Sequence, residues 1–175
     1  MADWKHQLEE HNSLIKEVNH SISDDLGQFR FNRSIISASD VAKQFFCEKF
    51  VEMQYIHGEV ETEAKRTGTE AHEKLLEDTI SIKREELWKE IYSKKPVFAP
   101  EMYLLARFKG SILAGRPDSI IFRNGIPLII FEYKFGRSQR LFRNHHVQPR
   151  VYGTLLKNMG FETSNLILCN SSSKT

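Results

Sequence analysis

The chain has 175 residues and a formal net charge of +2, with 40% hydrophobic and 27% charged residues. That length suits one compact domain, and the composition excludes a disordered chain or a fibrous repeat. The longest purely apolar run, Ile126 to Phe131, holds six residues including a proline, far short of the roughly 20 a bilayer span requires. No membrane partner is expected. Met1 to His6 opens a polar stretch without an apolar signal region, which points to an intracellular, cytoplasmic protein. Cys47 and Cys169 are too few for a disulfide framework.

Residues 1 to about 20 carry Leu8, Leu14, Ile15 and Val18 on a sparse helical stripe, followed by the polar stretch Ser21 to Arg33. An appended N-terminal helix and linker over 1–33 is expected, ahead of the main domain over 34–175. Ser37-Ala38-Ser39-Asp40 supplies N-cap candidates before Val41, Phe45, Phe46, Phe50 and Met53, a helical face through about Tyr55 that reads as core. Further helices are expected over Thr62 to Ile80 and Arg84 to Tyr92, with Pro96 as the stop. From Val97 the pattern turns strand-like: Tyr103 to Phe108, Ile112 to Ala114, Ser119 to Phe122 and Ile126 to Phe135, punctuated by Lys109-Gly110 and Asn124-Gly125. A helix over roughly Arg143 to Asn158 and a last strand over Asn165 to Cys169 complete the order. Pro149 is awkward inside that helix, and a start near Val147 would put it in the first turn.

Charge is unevenly spread. Between Tyr133 and Phe161 lie Lys134, Arg137, Arg140, Arg143, Arg150 and Lys157 with no acid, a local charge of +6 that leaves −4 elsewhere. Such a segment suits a polyanion, although a solvated helix face has the same composition.

The chemistry-bearing residues cluster on the strands. Gly115-Arg116-Pro117-Asp118 and Glu132-Tyr133-Lys134 lie on the two arms of the Asn124-Gly125 hairpin, with Glu132 and Lys134 on one face. A three-residue turn, or a bulge near Pro117, would set Asp118 directly across from Glu132. Two carboxylates so placed repel unless a hard divalent cation neutralises them, and Lys134 would then stand beside it. A salt-bridged surface hairpin would hold the same three residues. Against it, Glu132 follows the apolar run Leu128-Ile129-Ile130-Phe131, typical of a central strand. Gln148 and Tyr152, four apart on the basic helix, share one face of it, and His72 sits in the stretch Gly68 to Leu75.

Taken in order, Gly68…His72, Gly115-x-x-Asp118, Glu132-x-Lys134 and Gln148-x-x-x-Tyr152 resemble the RecB-like branch of the PD-(D/E)xK nuclease superfamily, as in the CRISPR-associated RecB-like exonucleases and the exonuclease V group. The resemblance spans about Ser34 to Asn170. It implies an α/β (α+β) fold of restriction-endonuclease type, a mixed central sheet flanked by helices, with the N-terminal helical segment as an extra. It implies a metal-dependent DNA nuclease of exonuclease type with single-strand preference, working in DNA repair, recombination or CRISPR adaptation. By the same resemblance His72, Asp118, Glu132 and the Tyr133 carbonyl hold Mg²⁺ or Mn²⁺, Lys134 is the catalytic lysine, and Gln148 and Tyr152 organise substrate and site. Arg137, Arg140, Arg143 and Arg150 would meet DNA phosphates. Cys47 stands where such families place the first ligand of an iron–sulfur cluster, but the other three are missing, so no cluster is expected. The alternative is a non-catalytic nucleic-acid-binding module with a nuclease-like fold.

Overall fold

The computed structural model describes residues 4–23, 33–59, 83–135 and 143–173. The expected helix over 62–80, with His72 in it, lies outside them, as do Arg137 and Arg140. The described chain is a mixed α/β structure whose frame is one long β-hairpin. Its strands are β2 (Pro96–Pro100) and β3 (Leu104–Phe108) on one arm, β4 (Ser111–Gly115) and β5 (Ser119–Arg123) on the other. A single register runs through both halves: Phe108 faces Ser111, Leu104 faces Gly115, Pro100 faces Ser119 and Pro96 faces Arg123. The arms part at 101–103 and 116–118, where the Glu101 amide still bonds to the Asp118 carbonyl at 3.1 Å. The upper half forms a sheet in the order β1-β4-β3, with β1 (Ile36–Ser37) parallel to β4. The lower half joins β6 (Ile126–Phe135) and β7 (Ile167–Ser173) in the order β2-β5-β6-β7, and β6 and β7 run parallel.

Turn chemistry sets this frame. Lys109 and Gly110 have φ of 48° and 80°, and Asn124 and Gly125 have 53° and 75°, the two consecutive positive values of a type I′ hairpin turn. At Gly125 a side chain would also collide with the Tyr92 ring. The turn thus holds two residues, not three, and the register adjustment occurs elsewhere. Ile121 faces Ile129 while Phe122 faces Pro127, leaving Leu128 as a bulge. Pro127 has no N–H for the ladder, which makes its neighbour the natural place to lose a pairing step.

Helix α1 (Trp4–Ser23) lays its sparse apolar stripe on the core: Leu8 is buried in the main cluster and Val18 in a second one with Leu105 and Ala114. Helix α4 (Arg84–Ile91) contributes the fully buried Trp88 and Ile91, and α5 (Arg143–Asn158) contributes Tyr152, Leu155 and Leu156. Pro149 is the seventh residue of α5 and is buried inside it, so the helix does not start late; it gives up the bond to the His145 carbonyl instead.

The apolar stretch after Ser37 departs from expectation. Ser37 does cap a helix, its hydroxyl accepting from the Asp40 amide at 3.0 Å, but α2 (Ala38–Gln44) ends before Phe45. Cys47, extended at φ −163°, restarts the chain as α3 (Glu48–His57). Phe45, Phe46, Phe50 and Met53 are exposed, Phe46 by 69%. The buried residues of the pair are Ala38, Ala42 and Val51. The small side chains let α2 approach α5 closely, and that choice of inward face turns the aromatic face to solvent. Among the described residues no helix is long and apolar enough to cross a membrane.

Candidate active site

The bulge at Leu128 has a direct consequence for the acids. Above it Ser119 faces Phe131, so one further step of the same register brings Asp118 opposite Glu132. Neither a three-residue turn nor a bulge near Pro117 was needed; an adjustment within β6 has the same effect. The Tyr133 amide donates to Asp118 Oδ2 at 2.5 Å, tying the acid to the main chain of the neighbouring strand. Pro117, just before it, is buried and stiffens the approach.

Glu132 is 3% exposed, on the same face of β6 as the fully buried Ile130. Its Oε1 accepts from Lys134 Nζ at 2.5 Å, and Lys134 Nζ also donates to Gln148 Oε1 at 3.1 Å. Gln148 Nε2 donates in turn to the Tyr152 hydroxyl at 2.6 Å, which donates to the Arg116 carbonyl at 3.2 Å. The chain of bonds therefore runs from β6 to one face of α5 and back to the hairpin break. Tyr152 is pressed against the hairpin at Gly115, where a Cβ would come within 2.6 Å of its Cε1.

Burial sets the electrostatics. It raises the Glu132 pKa above the ordinary carboxylate range, the Lys134 ammonium opposes the rise, and the nearby Asp118 charge adds to it. Burial likewise raises the Tyr152 phenol, with Glu132 reinforcing the shift, so Tyr152 stays a neutral hydrogen-bonding group. Glu132 Oε2 is buried with no hydrogen-bond partner among the described residues. A buried carboxylate with one oxygen unpartnered and a second carboxylate across the strand pair is a suitable setting for a hard cation. Among the described residues no three His, Cys, Asp or Glu side chains lie together. Protein ligands beyond the two acids would thus come from the main chain or from outside the described set.

The remaining sequence candidates divide. Asp118, Glu132, Tyr133, Lys134, Gln148 and Tyr152 are brought together; Arg143 opens α5, and Arg150 is exposed on the side of α5 turned away from β6, lining a groove with Phe45 and His146. Outside those candidates, Glu101, at φ 44°, sits across the hairpin break from Asp118 and is exposed. Cys47 is exposed and Cys169 half-buried on β7, opposite Phe131. His145 escaped notice in the sequence. Three residues before Gln148 on the same helical face, it has its pKa lowered by burial, then by the Lys134 charge. The spacing 145, 148, 152 was the available signal. Gly115 and the Arg116 carbonyl were visible only as parts of the Gly115-Arg116-Pro117-Asp118 motif.

No family model and no curated protein matches this chain. Among solved structures, that described as the crystal structure of SSO0001 is similar over 90% of this chain and 72% of the other, at 18% identity and a TM-score of 0.41.

Proposed function

We propose that this protein is a metal-dependent deoxyribonuclease of the RecB-like PD-(D/E)xK type, built on a restriction-endonuclease-like sheet. The reading is carried by one observation: buried Glu132 stands across the strand pair from Asp118, with the Lys134 ammonium held between Glu132 and Gln148. Asp118, Glu132 and the Tyr133 carbonyl, with His72 by resemblance, would hold Mg²⁺ or Mn²⁺. When bound, such a cation neutralises the two carboxylates, polarises a phosphate and makes water a stronger nucleophile.

The chain's own residues have separate tasks. Lys134 has three donors, two of which bond Glu132 and Gln148; the third faces the developing charge of the scissile phosphate. Gln148 and Tyr152 keep that ammonium in place, so its position costs no reorganisation during the reaction. Arg150, with Arg137, Arg140 and Arg143, draws the DNA backbone to α5 by contacts that weaken with salt and carry little sequence preference.

The test is degradation of labelled single- and double-stranded DNA by the full chain with Mg²⁺, Mn²⁺ or EDTA. Cation-dependent cleavage is expected, abolished by EDTA and reduced about 10²–10⁴-fold in Lys134→Ala. DNA binding without cleavage under any cation would overturn the enzymatic reading and favour a binding module. Cleavage that persists in EDTA or in Lys134→Ala would remove the roles given to the cation or to the lysine.

A further inference from the structure

Two buried oxygens near the site lack partners. They are Glu132 Oε2 and Asn170 Oδ1, neither of which has a partner in hydrogen-bond geometry among the described residues, although the Tyr152 hydroxyl lies near enough to the Glu132 carboxylate to stabilise its charge. The residues are also direct neighbours: β6 and β7 pair in parallel with Glu132 facing Asn170, so both side chains leave the sheet on the same face. That face is covered by α5, since Glu132 reaches it through Lys134 and Gln148, and Asn170 Nδ2 lies 3.4 Å from His146 Nδ1. Asn170 as a whole is half-buried, but its Oδ1, like Glu132 Oε2, is shut off from water, and an acceptor left that way costs free energy. A half-turn of the Asn170 amide about its terminal bond exchanges nitrogen and oxygen, which are nearly equal in size. Nδ2 then takes the place of the buried oxygen, and Oδ1 can accept from His146 Nδ1–H over the same 3.4 Å.

We propose that Asn170 is a positioning residue for Glu132, its amide N–H holding Oε2 while its carbonyl is held by the His146 ring. The carboxylate is then gripped at both ends, by Lys134 at Oε1 and by Asn170 at Oε2. An oxygen with two lone pairs keeps one for a cation after accepting the amide. Groups that orient a ligating carboxylate in this way typically govern metal affinity by 10- to 100-fold. The consequence for the cation rests on the function proposed above; the Asn170–Glu132 bond itself does not.

Two measurements on the full chain separate them. In the metal-free wild-type protein, NMR should show a through-hydrogen-bond coupling between Asn170 Nδ2 and the Glu132 carboxylate carbon, absent in Glu132→Ala. No coupling, with the Asn170 amide protons exchanging as freely as those of surface asparagines, would overturn the proposal whatever the protein does with metals. In a Mn²⁺ titration followed by calorimetry, Asn170→Ala and the isosteric Asn170→Asp, which has no N–H to donate, should both bind at least roughly tenfold more weakly than wild type. Wild-type affinity in both variants would overturn the positioning role, and tighter binding by Asn170→Asp would make residue 170 a direct ligand instead. A wild-type protein that binds no Mn²⁺ while showing the NMR coupling would sink the cation reading and leave the contact standing.

Discussion

His11 is a buried histidine whose two ring nitrogens lack hydrogen-bond partners among the described residues. It lies on the apolar stripe of α1, its ring 5.7 Å from that of Trp88 and 6.5 Å from that of Tyr103. Burial, with the Arg84 charge as a lesser cause, lowers its pKa from 6.5 to about 4; the Tyr103 backbone, near but outside hydrogen-bond geometry, pulls weakly the other way. The sign of the linkage is fixed by that direction. As pH falls below 6.5 the unfolded chain takes up a proton that the folded chain refuses, so stability drops until about pH 4 and then no further on this account. The full loss is on the order of 3 kcal/mol. Denaturant midpoints measured from pH 7 to pH 4 should fall in wild type and fall clearly less in His11→Phe, which keeps the ring contacts and has nothing to protonate. Parallel curves for the two proteins would refute the assignment. His11 and Glu132 form a useful contrast. Both are buried titratable groups, but His11 is enclosed by rings, whereas Glu132 has an ammonium on one oxygen and a second carboxylate across the strand pair. The second arrangement is the one on which the function proposed above rests.

At the scale of elements, the site depends on how closely α5 can approach the hairpin. The contact is made by Tyr152 against Gly115, and the absent side chain leaves room for the phenol that anchors Gln148 and, through it, Lys134. Gly115→Ala should therefore push the ring outward, destabilising the fold by about 1–3 kcal/mol. On the nuclease reading proposed above, cleavage should be lost out of proportion to that destabilisation, and thermal melting beside an activity assay at a temperature where the variant stays folded checks both. Unchanged activity in a folded variant would mean that the Tyr152–Gln148–Lys134 chain does not position the lysine. The turns and most of the helices are legible from local chemistry: Asn124-Gly125 as a hairpin, Ser37 as a cap, Gln148 and Tyr152 on one face. The α2–α3 corner is not. Phe45, Phe46, Phe50 and Met53 satisfy a helical period, and periodicity alone says that such residues share a side, not which side the rest of the protein will occupy. Ala38 and Ala42 won the inward position because α5 lies close against them.

At the scale of the whole molecule, one hairpin belongs to both sheets. β3 and β4 pair in the upper sheet, β2 and β5 in the lower, and the register passes unbroken through the gap that holds Asp118. Asp118 thus lies between two strands and is held in register from both sides, its carbonyl by the Glu101 amide and its carboxylate by the Tyr133 amide. Helix α1 spans both hydrophobic clusters, Leu8 in one and Val18 in the other. Leu8→Ala and Val18→Ala should each cost about 2–4 kcal/mol, and denaturation followed by fluorescence and by circular dichroism should remain a single coincident transition. A small cost for both, with a separate early transition, would make α1 a loosely attached appendage.

The sequence by itself determined the parts whose causes are local: where hairpins turn, where helices begin, and that an aspartate, a glutamate and a lysine fall on adjoining strands. It also showed the charge asymmetry that makes α5 the basic helix. What only the tertiary structure decided is how those parts register. In the run Ile126 to Phe131, Pro127 marks locally where a pairing step can be lost, but the apolar residues around it do not say that the step falls on Leu128 rather than on the other side of the proline. That single skipped step brings Asp118 opposite Glu132, and it is settled by how β5, β6 and α5 pack together. Pairing partners and buried faces are properties of the assembled neighbours, which no window of sequence contains.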